Sequence, residues 1–141
     1  MQKMTPDEYR SFLLDRVRTA KLATVRADGR PHIVPMWYDL DGETLIFTTS
    51  SESVKGVNIR HDPRVCLCVD EETPPFAFVL IEGTAAISSD LEERRYWATR
   101  IGGRYMGADL AEVYGQRNSG PGGLLVRVTP TKIVAQKNLS D

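Results

Sequence analysis

Two Asp-Gly steps constrain this chain most. Asp28-Gly29 and Asp41-Gly42 each stand between runs of apolar and β-branched residues. Asp-Gly supplies the positive backbone φ that a two-residue antiparallel turn needs, so its flanks pair. Ala20 to Arg26, Pro31 to Tyr38 and Glu43 to Thr49 therefore read as three consecutive antiparallel strands, a meander. Pro31 and Pro35 have no N–H to give a ladder, so the middle strand is expected at a sheet edge, a bend or an interface.

The third strand ends in a change of chemistry. After Leu45-Ile46-Phe47 come Thr48, Thr49, Ser50, Ser51 and Ser53, residue types of turns and helix N-caps. From Glu52 the apolar spacing lengthens to that of a short helix, with Lys55 in or just after its first turn. That first turn has unpaired N–H groups and a partial positive charge, which suits an anion. A phosphate docked there meets backbone donors, hydroxyls and one ammonium. On these residues alone two readings stand: an anion site, or a capped surface helix with a solvated lysine. No glycine-rich cradle is present, so the stretch is not a P-loop.

Elsewhere the signals are ordinary. Thr5-Pro6-Asp7-Glu8 is a capping box for a helix running to about Arg18, with Tyr9, Phe12, Leu13 and Val17 on one face. Arg64 to Val69 and Phe76 to Ser88 read as strands, Gly83 marking a bulge or a close backbone approach. Leu91 to Ile101 reads as a helix closed by Gly102-Gly103, and Ala108 to Gln116 as a shorter one. Asn118 to Gly123 is a loop, and Leu124 to Gln136 a last strand that Pro130 ends or bends, with Thr131 to Val134 resuming beyond it. About six strands joined largely by hairpins close best as a barrel, with helices over its ends.

Composition narrows the function classes. At 141 residues, 41% hydrophobic and 26% charged, the chain suggests one soluble domain spanning 1–141. A net charge of −1 argues for neither nucleic acid nor an anionic membrane as partner. No apolar run approaches the ~18 residues of a membrane helix, and the N-terminus carries no signal peptide, so a cytoplasmic location is expected. Cys66 and Cys68 share a strand face and read as small buried hydrophobes. With only His32 and His61 to join them they make a poor metal set. No Ser-His-Asp or Cys-His arrangement is suggested, so no catalytic side chain is assigned.

The order of motifs is informative. Ala23 to Tyr38 (ATVRADGRPHIVPMWY), Leu45 to Val65 (LIFTTSSESVKGVNIRHDPRV), Ile81 to Ala85 (IEGTA) and Leu124 to Ile133 (LLVRVTPTKI) together resemble the pyridoxamine 5′-phosphate oxidase-like split-barrel superfamily. The resemblance implies a mainly β fold, a six-stranded antiparallel split β-barrel with flanking helices. It also implies a homodimer that binds FMN or the deazaflavin coenzyme F420 in a cleft between subunits. It places the cofactor phosphate on Thr48, Thr49, Ser50, Ser53 and Lys55, with Asn58 one helical turn on. Pro35, Met36 and Trp37 would run beside the ring.

Some residues depart from the phosphate oxidases themselves. Val54 stands where those enzymes pair an arginine with the lysine. Pro31 to Tyr38 offers only His32 where they carry basic residues. The tail Lys137 to Asp141 lacks their substrate-reading arginine and histidine. The ADGRPH, PMWY and DPRV wording is closer to the F420-dependent reductases, whose cofactor phosphodiester bears one charge and needs fewer cations. The resemblance thus implies an oxidoreductase passing hydride between F420 and a small conjugated organic substrate. The alternatives are an FMN-dependent oxidase or reductase, and a flavin- or haem-binding module without turnover. His32, Arg60, Arg64, Phe76 and Phe78 could also lie near the cofactor, but each reads first as a surface or core residue.

Overall fold

Thr5 opens the first helix. In the computed structural model, which describes residues 1–141, the Thr5 hydroxyl accepts from the Glu8 N–H and the Glu8 carboxylate accepts from the Thr5 N–H. The helix, α1 (Pro6–Leu14), stops about a turn short of the expected Arg18. Its last carbonyls are taken by side chains instead. Arg18 Nη1 donates to Phe12 O at 2.5 Å and the Tyr38 hydroxyl donates to Leu13 O at 2.7 Å. With those acceptors satisfied, nothing requires a further turn.

The rest of the chain follows as β1 (Gln2–Lys3, ahead of α1), β2 (Ala20–Val25), β3 (Pro31–Met36), β4 (Asp39–Asp41), β5 (Thr44–Ser50), α2 (Val54–His61), β6 (Arg64–Glu71), β7 (Ala77–Ser88), α3 (Leu91–Met106), a 3₁₀ turn (Ala108–Leu110), α4 (Ala111–Arg117) and β8 (Gly123–Lys137). All strand pairs are antiparallel, in the order β3-β2-β6-β7-β8-β5-β4, with β1 beside the end of β8. This is a mainly antiparallel β fold with flanking helices.

Two expectations about the sheet are corrected. It has eight strands rather than six, and no ladder joins β3 to β4, so hydrogen bonds do not close it into a barrel. The three-strand meander does not form either. Both Asp-Gly turns do form, with φ of 89° at Gly29 and 61° at Gly42, but they build the separate pairs β2–β3 and β4–β5. The chain crosses from one edge of the sheet to the other through Trp37 and Tyr38. The prolines of β3 keep that strand at an edge, and β5 finds a better partner in β8, from Leu45↔Val128 to Ser50↔Gly123.

The crossover is pinned by α3. The Trp37 ring stacks on Tyr105 at 5.0 Å and 7°. The Tyr105 hydroxyl accepts from the Tyr38 N–H and donates to Arg18 O at 2.7 Å, and Arg104 Nη1 donates to Tyr38 O. Asp39, almost wholly buried, is balanced by Arg100 at 3.3 Å and Arg104 at 3.8 Å.

Inside the curled sheet, Tyr38, Phe47, Leu22, Leu45, Leu67 and Val126 belong to one apolar cluster. Ile46 and Leu125 point the other way and meet Trp97 of α3. That explains the unbroken Leu45-Ile46-Phe47 run: both faces of β5 are covered. Cys66 and Cys68 are not core residues. They lie half-buried on the outer face of β6, whose inner positions are Val65, Leu67 and Val69. At Pro130 the last strand continues rather than ending, and a register shift from Glu82↔Lys132 to Gly83↔Pro130 absorbs the proline.

Gly102-Gly103 does not end α3, which runs on to Met106 and stops at Gly107. The two glycines instead face α4. A Cβ on Gly102 would lie 2.6 Å from Tyr114 Cβ, whereas one on Gly103 would meet only Ala111 Cβ at 3.2 Å. We expect Gly102→Ala to cost ~1–3 kcal/mol by overpacking, lowering the melting temperature by roughly 3–10 °C. Gly103→Ala should be near neutral, its milder contact offset by ~1 kcal/mol of helix propensity. Equal melting shifts in the two variants would contradict this account of the α3–α4 contact.

Candidate functional site: a carboxylate-free cavity at the split edge

The hydroxyl-rich stretch folds as a tight connection between β5 and α2. Ser53, not Ser50 or Ser51, is the N-cap. Its oxygen accepts from the Gly56 N–H at 3.0 Å and its proton goes to Ser50 O at 2.7 Å. The 2.8 Å contact between Thr49 Oγ1 and Ser53 Oγ must therefore use the Thr49 proton. Gly56 is required here, because a Cβ would sit 2.4 Å from Ser50 O. Asn58 is buried and donates from Nδ2 to Thr24 Oγ1 at 3.0 Å, tying α2 to β2.

Several groups around the turn remain uncommitted. The Val54 and Lys55 N–H groups have no intramolecular acceptor, as the first turn of a helix dictates. The Thr48 hydroxyl makes no hydrogen bond, and the Ser50 hydroxyl accepts from the Glu52 N–H while keeping its own proton. Lys55 forms no ion pair or hydrogen bond, and burial holds its pKa below the ordinary lysine range.

A cavity of about 550 Å³ opens beside these groups, within the range of small-molecule sites. Its walls include Thr48, Thr49, Ser50 and Lys55 on one side and Pro35, Met36 and Trp37 of the crossover on another. Ile101, Arg117, Asn118 and the loop glycines complete it. Two of the lining residues are cations and none is a carboxylate, so the cavity favours an anion.

Seven of the nine sequence-based candidates thus share one cavity. Ser53 and Asn58 do not line it; they shape the turn from behind. The other candidates lie apart. Arg60 donates to Ser51 O at 2.6 Å, Arg64 pairs with Asp62 at 2.8 Å, and His32 carries a buried, unpartnered Nδ1 outside the cavity. Phe76 and Phe78 line a different hollow with Cys68 and Leu139. Arg117 and Asn118 were missed by sequence reasoning. Their only signal was a cation at the end of a helix before a glycine-rich loop, which says nothing about what lies opposite.

Residues 5–137 match the pyridoxamine 5′-phosphate oxidase family. The chain belongs to this family. Within it, the chain is 34% identical over 101 residues to the F420H(2)-dependent biliverdin reductase of Mycobacterium tuberculosis, covering 70% of this chain and 71% of that protein. It is 38% identical over 80 residues to a pyridoxine/pyridoxamine 5′-phosphate oxidase of Hyphomonas neptunium, covering 56% of this chain and 36% of that enzyme. The match to the oxidase therefore spans only about a third of the oxidase's length. Among solved structures, the conserved hypothetical protein Rv2991 from Mycobacterium tuberculosis superposes with a TM-score of 0.83 at 24% identity, over 98% of this chain and 88% of that one. That likeness establishes the fold. The family is one of oxidoreductases, and its relatives include both F420-dependent and pyridoxine-type enzymes. No helix is long and apolar enough to cross a membrane.

Lys55 gives the site a pH signature. Only the ammonium attracts an anion, and burial lowers its pKa, so affinity for an anionic ligand should fall as pH rises, starting below the usual lysine range. The ligand-free protein has the opposite sign. Burial penalises the charged form, so stability rises with pH between the lowered pKa and the unfolded value. Lys55→Arg keeps its charge throughout. Titrations of FMN or F420 from neutral to alkaline pH should show affinity declining for the wild type and flat for Lys55→Arg. Parallel declines would remove Lys55 from the site.

Proposed function

We propose that this chain, as one domain, is an F420-dependent oxidoreductase that holds its cofactor phosphate at the turn between β5 and α2. The carrying observation is the carboxylate-free cavity in which the free donors of Thr48, Ser50 and the α2 N-terminus meet Lys55. The residues fit the group: one phosphodiester charge is matched by one ammonium plus helix N–H donors. When bound, the deazaflavin supplies hydride transfer to or from a small conjugated organic substrate. The protein's part is to position the ring along Pro35 to Trp37 and to exclude water. Trp37 does this as a fixed wall, because its own ring is already stacked on Tyr105. Similarity to the F420H(2)-dependent biliverdin reductase supports the reading.

One observation favours FMN as a second reading. Its phosphate monoester carries a charge near −2, and Arg117 brings a second cation to the cavity that compensates for Val54. A side-by-side titration separates the two. We expect F420 to bind more tightly than FMN, and Lys55→Ala to weaken F420 binding about ten- to a hundredfold, the loss of one charge-assisted contact of ~1.5–3 kcal/mol. Tighter FMN binding would favour the second reading. Unchanged affinity in Lys55→Ala would leave only a capped surface helix.

The chain is further proposed to work as a homodimer. The outer face of β3, β2, β6 and β7 aligns Ile33 with Ala23 and Cys66, and Pro35 with Lys21, Cys68 and Leu80. Ile33 is 66% exposed. Pro35 belongs both to this face and to the cavity wall, so a second copy seated there would cover the cavity's open side. Light scattering should give about twice 15.8 kDa, shifting toward the monomer in Ile33→Glu. A monomer mass for the wild type at micromolar concentration would contradict the dimer.

A further inference from the structure

The chain buries two charged side chains, Asp39 and Arg94. Asp39 faces two arginines. Arg94, 8% exposed, forms no ion pair. Its guanidinium donates only to backbone carbonyls: Nε to Ser89 O at 3.1 Å, and Nη1 to Ser119 O at 3.0 Å and Gly120 O at 2.8 Å. A buried charge without a counter-charge is among the costliest features a fold can carry. A neutral donor would tie the same carbonyls without that cost.

The place of Arg94 explains why the charge is tolerated. The loop it grips is part of the cavity wall: Gly120 and Gly123 line it. Nη1 packs so closely that a Cβ on Gly123 would lie 2.8 Å away. The same loop is joined to the hydroxyl turn by the Ser51 N–H, which donates to Gly122 O at 2.9 Å. Arg94 therefore stands one layer behind the cavity: it binds the loop that carries Gly120 and Gly123, and Gly123 pairs with Ser50 of the turn.

We propose that Arg94 is a positioning residue of the anion site, whose buried positive charge is balanced by the bound anion rather than by the protein. It holds the loop against the turn and adds to the positive potential of the cavity from behind. The inference rests on the anion-site reading above, but it does not depend on whether F420 or FMN is the natural ligand. It follows that ligand-free protein carries an uncompensated charge, and that binding relieves it.

Two substitutions separate charge from geometry. Arg94→Lys keeps the charge and loses the fork; Arg94→Gln keeps an N–H donor and loses the charge. Each is titrated with F420 and with FMN at low and high salt, beside Lys55→Ala, and the melting temperature of each ligand-free protein is measured. We expect Arg94→Gln to bind roughly tenfold more weakly than wild type with a flatter salt dependence, while its ligand-free melting temperature equals or exceeds that of wild type. Arg94→Lys should stay within about threefold and keep the salt dependence. If Lys55→Ala weakens binding but Arg94→Gln does not, this inference fails and the anion site survives. If Arg94→Lys and Arg94→Gln lose affinity equally and both melt early, Arg94 is only a loop tie. If Lys55→Ala has no effect, or neither cofactor binds, the anion-site reading falls and takes this inference with it.

Discussion

The stack of Trp37 on Tyr105 is the contact on which the rest of the structure depends. The sheet begins and ends at strands that are only two residues apart in the chain, yet no ladder joins them. Trp37 and Tyr38 span that gap, and they hold because α3 supplies a ring for Trp37, a hydroxyl for the Tyr38 N–H and a guanidinium for the Tyr38 carbonyl. The split edge is thus closed by side chains rather than by backbone. A gap closed in that way can remain open to a ligand at one end, and the cavity lies there, with Met36 and Trp37 as its wall.

The chemistry of the site comes from which groups are left over after folding. Five hydroxyl residues fall between Thr48 and Ser53, but their roles divide. Ser53 and Thr49 spend their protons on the turn itself, while Thr48 and Ser50 keep theirs. Lys55 accepts a loss of hydration with no ion pair in return. Such groups are paired when a protein selects for stability alone; here they converge on one cavity from β5, α2 and the loop after α4. The proposed phosphate site rests on this arrangement, with the fold stabilised elsewhere by the core of the sheet.

Much of this was legible in the sequence because the signals are local. The capping box at Thr5 and Glu8, the Asp-Gly turns and the hydroxyl-rich exit from β5 each specify their own backbone. What was not legible required distant partners. The Asp-Gly turns fix hairpins but cannot say that β5 will prefer β8 to β3, and so the meander was expected in error. Gly102-Gly103 looks like a helix stop until Tyr114 is seen against it. Cys66 and Cys68 look like core until the inward parity of β6 is known to belong to Val65, Leu67 and Val69. Arg94, Arg117 and the loop glycines carry no local signature of a site, since their meaning lies in what the fold sets beside them.

The most direct test of the central claim is a crystal structure of the protein with F420 bound. The expected result is the phosphate beside the Lys55 N–H, the Ser50 hydroxyl and Lys55 Nζ, with the ring along Pro35 to Trp37 and Trp37 still stacked on Tyr105. A phosphate bound elsewhere, with Lys55 turned to solvent and the cavity beside β5 empty, would contradict it.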